Sequence, residues 1–406
     1  MPLDGRASVA VSLLVGVGSR FESNDDAGIS HFVEHMVFKG GRRYPTARDV
    51  SEAIEGVGGV LNAATDREAT VFYTRVPASA LPLAVSVLAD MVVHPALDPA
   101  EVEKERQVVI EELRMYEDNP QEYAQIVFDE VMWPDHALGR DVAGREETVR
   151  SFTAEQCREH MARYIEPKSL VVSVAGAVDP VEAQRLFQRE LEEWAASPHP
   201  AHDAAAPATP VSGPSVRVAR RTVEQATVLM GARTGSYLDP GRHAVDMLNA
   251  VLGEGMSSRL FLELRERRGT VYDVHSFVSR VRDSGVMGIG LGCEPRRAAT
   301  AMRAAIAELR RLAQEPVSDA ELHKAREYSK GRLLLSLEST SAVCDYAGHQ
   351  LLLTGSILEP AELIAHLDAV TAEDVQQAAQ DVLSQELRAA VVGPFRSTTR
   401  FEEVVR

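Results

Sequence analysis

Residues 99–115 read PAEVEKERQVVIEELRM, and 220 positions later residues 319–335 read DAELHKAREYSKGRLLL. Ala100, Glu101, Lys104 and Arg106 recur in the second stretch as Ala320, Glu321, Lys324 and Arg326. Working outward, Thr153-Ala154-Glu155 returns as Thr371-Ala372-Glu373 at an offset of 218. The apolar segment 170–177 (LVVSVAGA) returns at 387–394 (LRAAVVGP) at an offset of 217. Matches in one order and at a nearly constant offset are the mark of a duplicated fold.

The two copies are separated by a tract at 195–214, AASPHPAHDAAAPATPVSGP, with five prolines and almost no large apolar residue. Such a composition cannot build a core and reads as a linker. The expected organisation is therefore a first domain over 1–196, a linker over 197–214 and a homologous second domain over 215–406. In the first copy the periodicities predict a strand at 9–17, helices near 29–38 and 47–55, and strands within 60–76. Helices near 81–93, 99–115 and 121–132, a helix from Thr153, a strand at 170–177 and a last helix to about Trp194 follow. Strands and helices mix without strict alternation, which predicts an α+β fold: two mostly antiparallel sheets, each packed with helices.

The chain has 406 residues, 45% of them hydrophobic and 25% charged, which suits two globular cores. The net charge is −17, and −16 of it falls in residues 1–206. That balance excludes a nucleic-acid partner, whose phosphates need Lys and Arg, and an acidic half can steer cationic ligands. No run approaches the roughly 18–20 apolar residues of a membrane span. The run 8–18 (SVAVSLLVGVG) has a thin basic flank and reads as a buried strand rather than a signal peptide. Cys157, Cys293 and Cys344 are far apart and odd in number, which predicts no disulfide framework and fits a reducing, cytoplasmic setting.

The chemistry lies in 28–40, GISHFVEHMVFKG. On a helix His31 and His35 are four apart and share a face, so both can offer nitrogens to one metal, with Glu34 beside them. The order HxxEH is the inverted form of the HExxH zinc-peptidase motif. A catalytic zinc takes three protein ligands, and the stretch 99–115 supplies carboxylates at Glu105, Glu111 and Glu112. Glu105 and Glu112 are seven apart and share one helix face, whereas Glu111 points about 100° away.

With these residues in view, the chain resembles the insulinase/pitrilysin family of zinc peptidases, closest to its two-domain branch of processing-peptidase-like proteins. The resemblance covers nearly the whole chain. The segment 105–112 (ERQVVIEE) is similar to the family's ERxVIxEE, which implies Glu112 as third zinc ligand and Glu105 as an acid supporting it. Glu111 is the alternative if the register slips by one. The segment 58–63 (GGVLNA) resembles the family's GGxxNA turn into an edge strand, implying that Asn62 and Ala63 meet the substrate in an extended, strand-adding manner. In the second half, 252–261 and 264–272 resemble GxxSRLF and LRExxGxxY, which implies that Arg265 and Tyr272 contact the substrate. Their chemistry suits a carbonyl oxygen that gains charge.

The second half lacks HxxEH; at the repeat offset Glu105 and Glu112 become Ala325 and Arg332, so one Zn²⁺ per chain is expected. The resemblance implies a zinc-dependent endopeptidase in which Glu34 acts as general base, cleaving peptides or unfolded, presequence-like polypeptides, with basic ones favoured by the acidic half. Since one chain carries both residue sets, a homodimer enclosing a chamber is expected. The competing reading is a catalytically inactive scaffold or peptide-binding subunit of a heteromeric complex. Relatives usually carry about twenty residues, including a further strand, ahead of the strand at 9–17, so a bare sheet edge is expected here.

Overall fold

A computed structural model describes residues 1–194 and 213–406. Only Gly213 and Pro214 of the expected linker 197–214 fall among them. In chain order the first half contains β1 (Ser8–Val15), α1 (Ile29–Val37), α2 (Ala47–Glu55), β2 (Val60–Thr65) and β3 (Thr70–Pro77). There follow α3 (Leu81–Val93), α4 (Pro99–Asp118), α5 (Pro120–Met132), α6 (Glu146–Ser151), α7 (Ala154–Tyr164), β4 (Leu170–Gly176) and α8 (Pro180–Glu190). The second half contains β5 (Val216–Arg220), β6 (Ala226–Thr234), α9 (Arg242–Leu252), a short π-helix (Phe261–Arg267), β7 (Asp273–Arg280) and β8 (Gly285–Cys293). It closes with α10 (Ala298–Gln314), α11 (Asp319–Ser336), α12 (Thr340–Thr354), α13 (Pro360–Ala369), α14 (Ala372–Ser384), β9 (Arg388–Gly393) and α15 (Thr399–Val405).

The duplication is visible in the sheets. The first runs β2-β3-β1-β4, antiparallel throughout. The second runs β7-β8-β6-β9 in the matching order, then adds β5 parallel to β9. In the first sheet Met1–Leu3 lie next to β4: Pro2 makes an isolated parallel bridge to Gly176, Leu3 N–H donates to the Gly176 carbonyl at 2.8 Å, and Gly176 N–H donates to the Met1 carbonyl at 3.1 Å. Among the described residues, the edge expected to be bare is thus touched by Met1–Leu3 and paired with no further strand. Strand β1 is central, and from Val9 to Val15 all its residues are buried, which accounts for its nearly continuous apolar sequence.

The chain forms two compact units that depart from the expected cut at the linker. One comprises Met1–Met115, Arg140–Trp194 and Ser336–Ile357 among the described residues; the other comprises Tyr116–Gly139, Gly213–Leu335 and Leu358–Arg406. The two halves have exchanged equivalent helices: α5 begins at 120 and α12 at 340, one repeat apart. Helix α5, from the first half, buries Ala124, Val127, Phe128 and Met132 against Leu229, Ala390 and Val392 of β6 and β9. Helix α12, from the second half, covers β1 and β4: Cys344 packs with Ala10 and Ala175, and Ser173 Oγ donates to the Cys344 carbonyl at 2.7 Å. Gly348 permits this approach, since a Cβ there would stand 2.6 Å from Leu14 Cδ1. Helix α5 carries an apolar stripe that must be buried, and α12 presents a face of small residues, Thr340, Cys344, Ala347 and Gly348; neither face states which of two homologous sheets will cover it.

Helix α1 is fixed at its start by a buried acid. The Glu22 carboxylate accepts from the backbone N–H groups of Gly28 and Ser30, each at 2.8 Å, satisfying donors that a helix N-terminus leaves open. Gly28 has φ +96°, and a Cβ there would lie 2.5 Å from the Ala143 carbonyl oxygen, so glycine is required on both counts. The body of α1 then buries Phe32, Val33, Met36 and Val37, which turns the face bearing His31, Glu34 and His35 away from the core.

Candidate metal centre

His31 and His35 on α1 meet Glu112 on α4. The two Nε2 atoms are 3.3 Å apart, and Glu112 Oε2 lies 3.8 Å from that of His31 and 3.5 Å from that of His35. Donors about 2.0–2.1 Å from a single ion in a tetrahedral array stand about 3.3–3.5 Å from one another. The observed spacings therefore fit a zinc ion held by two imidazoles and a carboxylate. Among the described residues this is the one group of three or more His, Cys, Asp or Glu residues close enough to share a metal.

The electrostatics agree with that fit. Burial, followed by the charge of His35, pushes His31 down to about 4, so it is a neutral imidazole with a lone pair to give. His35 moves the other way: burial opposes its charge but is outweighed by the hydrogen bond to Glu105 and by the charges of Glu112, Glu105 and Glu34, and its pKa is raised. Glu105 Oε1 lies 2.9 Å from His35 Nδ1, which leaves His35 Nε2 for the metal cluster. Its other oxygen is ion-paired to Lys39. For Glu105, burial raises the pKa, but the bonds to His35 and Lys39 overcome it and hold the carboxyl below its usual range. His31 has no such support, since its Nδ1 is buried without a hydrogen-bond partner.

Glu34 stands one turn from His31 without belonging to the cluster. Thr65 Oγ1, at the end of β2, donates to Glu34 Oε2 at 2.5 Å. Burial raises the Glu34 pKa, partly offset by that bond and by the charge of His35, while the Glu112 charge raises it further. Glu111 points away from the cluster to an exposed ion pair with Arg114 at 2.6 Å, so the structure brings Glu112, not Glu111, to the histidines. Asn62 and Ala63 lie on β2, the edge strand of the first sheet. Asn62 is exposed, and its side-chain oxygen accepts from the Ala63 N–H at 2.9 Å.

Arg265 and Tyr272 belong to the other unit, where both are exposed and the guanidinium carbon lies 5.7 Å from the tyrosine ring centroid. There α11 carries Ala325 and Arg332 where α4 carries Glu105 and Glu112. The histidine of α9, His243, is buried and stacked on His366 at 5.0 Å, with Nδ1 3.7 Å from Asp246. Asp246 is taken up by Arg280 at 2.8 Å. Sequence reasoning missed Thr65, Lys39 and Glu22. None is adjacent in sequence to the group it serves, although the spacing of Lys39 from His35, one helical turn, was available as a signal.

A helix-borne pair of imidazoles, a carboxylate from a second helix and a neighbouring acid form the donor set of a zinc hydrolase. Residues 4–146 match the profile of the insulinase family (peptidase family M16), and residues 151–328 match that of the peptidase M16 inactive domain. An uncharacterized zinc protease of Streptomyces coelicolor is 35% identical over 393 residues, covering 96% of this chain and 85% of that one. One from Bacillus subtilis is 34% identical, covering 95% and 93%. A protease from Helicobacter pylori has the same fold, with a TM-score of 0.90 at 22% identity over 97% of this chain and 96% of that one. The chain belongs to the insulinase family of peptidases, and its second half is of the kind described as inactive. No described helix is long and apolar enough to cross a membrane.

Proposed function

We propose that this protein is a zinc-dependent endopeptidase acting on peptides or unfolded, presequence-like polypeptides. The observation that carries the reading is the convergence of His31, His35 and Glu112 at tetrahedral spacings, with Glu34 held beside them. His31, His35 and Glu112 would hold one Zn²⁺ per chain, which when bound supplies Lewis acidity toward a substrate carbonyl and toward water. Glu34, its pKa raised by burial, takes a proton from the attacking water and returns it to the leaving amine. The free edge of β2, with Asn62 and Ala63, receives the substrate as an added strand. Arg265 and Tyr272 bind the substrate near the scissile carbonyl and stabilise charge on its oxygen.

The concentration of negative charge in residues 1–206 supports a preference for basic peptides. The presence of both residue sets in one chain supports a homodimeric chamber. Three buried, unpaired cysteines support a reducing, cytoplasmic location. The test is cleavage of mixed basic and acidic peptides of roughly 10–30 residues by the zinc-loaded protein and by Glu34→Gln, read by mass spectrometry, with light scattering for the oligomer. Cleavage by the wild type alone is expected, faster for basic peptides at low salt. No cleavage by either, with zinc bound, would overturn the peptidase reading in favour of a peptide-binding scaffold. Equal rates for the two peptide classes would remove the charge preference.

A further inference from the structure

We propose that Thr65 is a positioning residue that ties the carboxylate of Glu34 to the strand on which the substrate is laid. The inference rests on the peptidase reading above and assigns a role to a residue outside the metal motif. A glutamate side chain has three rotatable bonds, and α1 fixes only its Cα. Thr65 fixes the far end: its Oγ1 donates to Glu34 Oε2 at 2.5 Å. Donation to an ionised carboxylate is among the stronger hydrogen bonds in proteins.

The strand that carries the hydroxyl is held in place by its pairing in the sheet. Thr65 pairs with Thr70 across the β2–β3 ladder, and Thr70 Oγ1 lies 3.5 Å from Thr65 Oγ1. The Thr70 proton is committed to the Val17 carbonyl at 2.9 Å, so Thr70 can only accept from its neighbour. Thr65 has one hydroxyl proton and two acceptors, and the shorter bond to a charged oxygen takes it. Glu34 is thereby anchored to β2 two residues past Ala63, on the edge strand assigned to substrate. A peptide added to that strand and the base that serves it share one frame, and the structure assigns Thr65 as the link between them.

The experiment compares the wild-type zinc-loaded enzyme with Thr65→Val, which keeps the β-branch and loses the hydroxyl, and Thr65→Ser, which keeps the hydroxyl. On a peptide that the wild type cleaves, Thr65→Val is expected to lower kcat about 10–100-fold, the scale of loss for a mispositioned catalytic group. Its KM should stay within about twofold and its zinc content should be unchanged, since only placement of the base is lost. Thr65→Ser should recover kcat to within about threefold. The metal-free proteins give a readout independent of turnover: Thr65→Val should shift the denaturant midpoint further in the wild-type background than in Glu34→Ala, where the charged acceptor is gone and only the longer contact to Thr70 is left.

A kcat for Thr65→Val within twofold of wild type, equal losses in Val and Ser, loss of zinc, or the same midpoint shift in both backgrounds would each overturn the proposal. An inactive wild type with zinc bound would instead overturn the peptidase reading, and the catalytic role of Thr65 with it.

Discussion

Replacing Glu105 by Gln tests the metal centre through a residue that does not touch the metal. Glu105 is 5% exposed and divides its two oxygens between His35 Nδ1 at 2.9 Å and Lys39. A glutamine of the same shape cannot serve both neighbours, because each presents a donor. If the amide oxygen faces His35, its NH₂ meets the Lys39 ammonium; if the oxygen faces Lys39, its NH₂ meets the His35 N–H. Either way one neighbouring donor is left without its acceptor and one anionic charge is lost. Charge-assisted hydrogen bonds contribute about 1.5–3 kcal/mol. Loss of such a partner behind a metal-bound histidine weakens metal affinity about 10–100-fold, or about 1.4–2.7 kcal/mol.

The expected result for Glu105→Gln is a zinc dissociation constant raised by that factor in competition with a chromophoric chelator at pH 8. The loss should shrink as pH falls, because the same bond to Glu105 also raises the affinity of His35 for a proton. In the wild type, protons therefore compete with zinc more strongly than in the variant. Glu105→Gln combined with Lys39→Met frees the amide to turn its oxygen toward His35 and should recover part of the loss. Unchanged zinc affinity at pH 8, with the fold intact by circular dichroism, would refute the claim that Glu105 orients His35. A double variant no better than the single would refute the conflict with Lys39.

Two further outcomes follow from the fold. Gly348→Val forces a Cβ to within 2.6 Å of Leu14 Cδ1 and should cost about 1–3 kcal/mol by overpacking; hydrogen exchange should accelerate in β1 and β4 while β6 and β9 keep their protection, and the reverse pattern would refute the exchange of helices. Burial raises the Glu22 carboxyl from an ordinary 4.5 to about 7, against the pull of its two backbone donors and Arg140. The folded protein thus holds a proton that the unfolded chain releases between those values, so Glu22 costs stability progressively as pH rises from about 4.5 through 7, by about 3 kcal/mol in all. Glu22→Gln does not titrate; its stability relative to wild type, from urea unfolding, should improve between pH 5 and pH 8, and a pH-independent difference would refute the assignment.

Much of the candidate site is local and was therefore legible in the sequence. The spacing of four between His31 and His35 and of seven between Glu105 and Glu112 fixes shared helix faces whatever the helices pack against. Glu111 was set apart from Glu112 by the same rotation, and in the structure it turns to Arg114. The matches at offsets of 217–220 foreshadowed two sheets with one strand order.

The tertiary structure alone decided which partner each face would meet. Thr65 reaches Glu34 from 31 residues away, and Glu105 reaches His35 across 70. Nothing in the periodicity of either segment encodes such a pairing. The exchange of α5 and α12 shows the same limit most plainly. The apolar stripe of α5 and the small-residue face of α12 specify that each helix packs on something, and in a duplicated chain two similar sheets satisfy that demand. The choice rests on close complementarity, such as the absence of a Cβ at Gly348 opposite Leu14. Local sequence determined the elements and their faces, and packing between distant segments determined their partners.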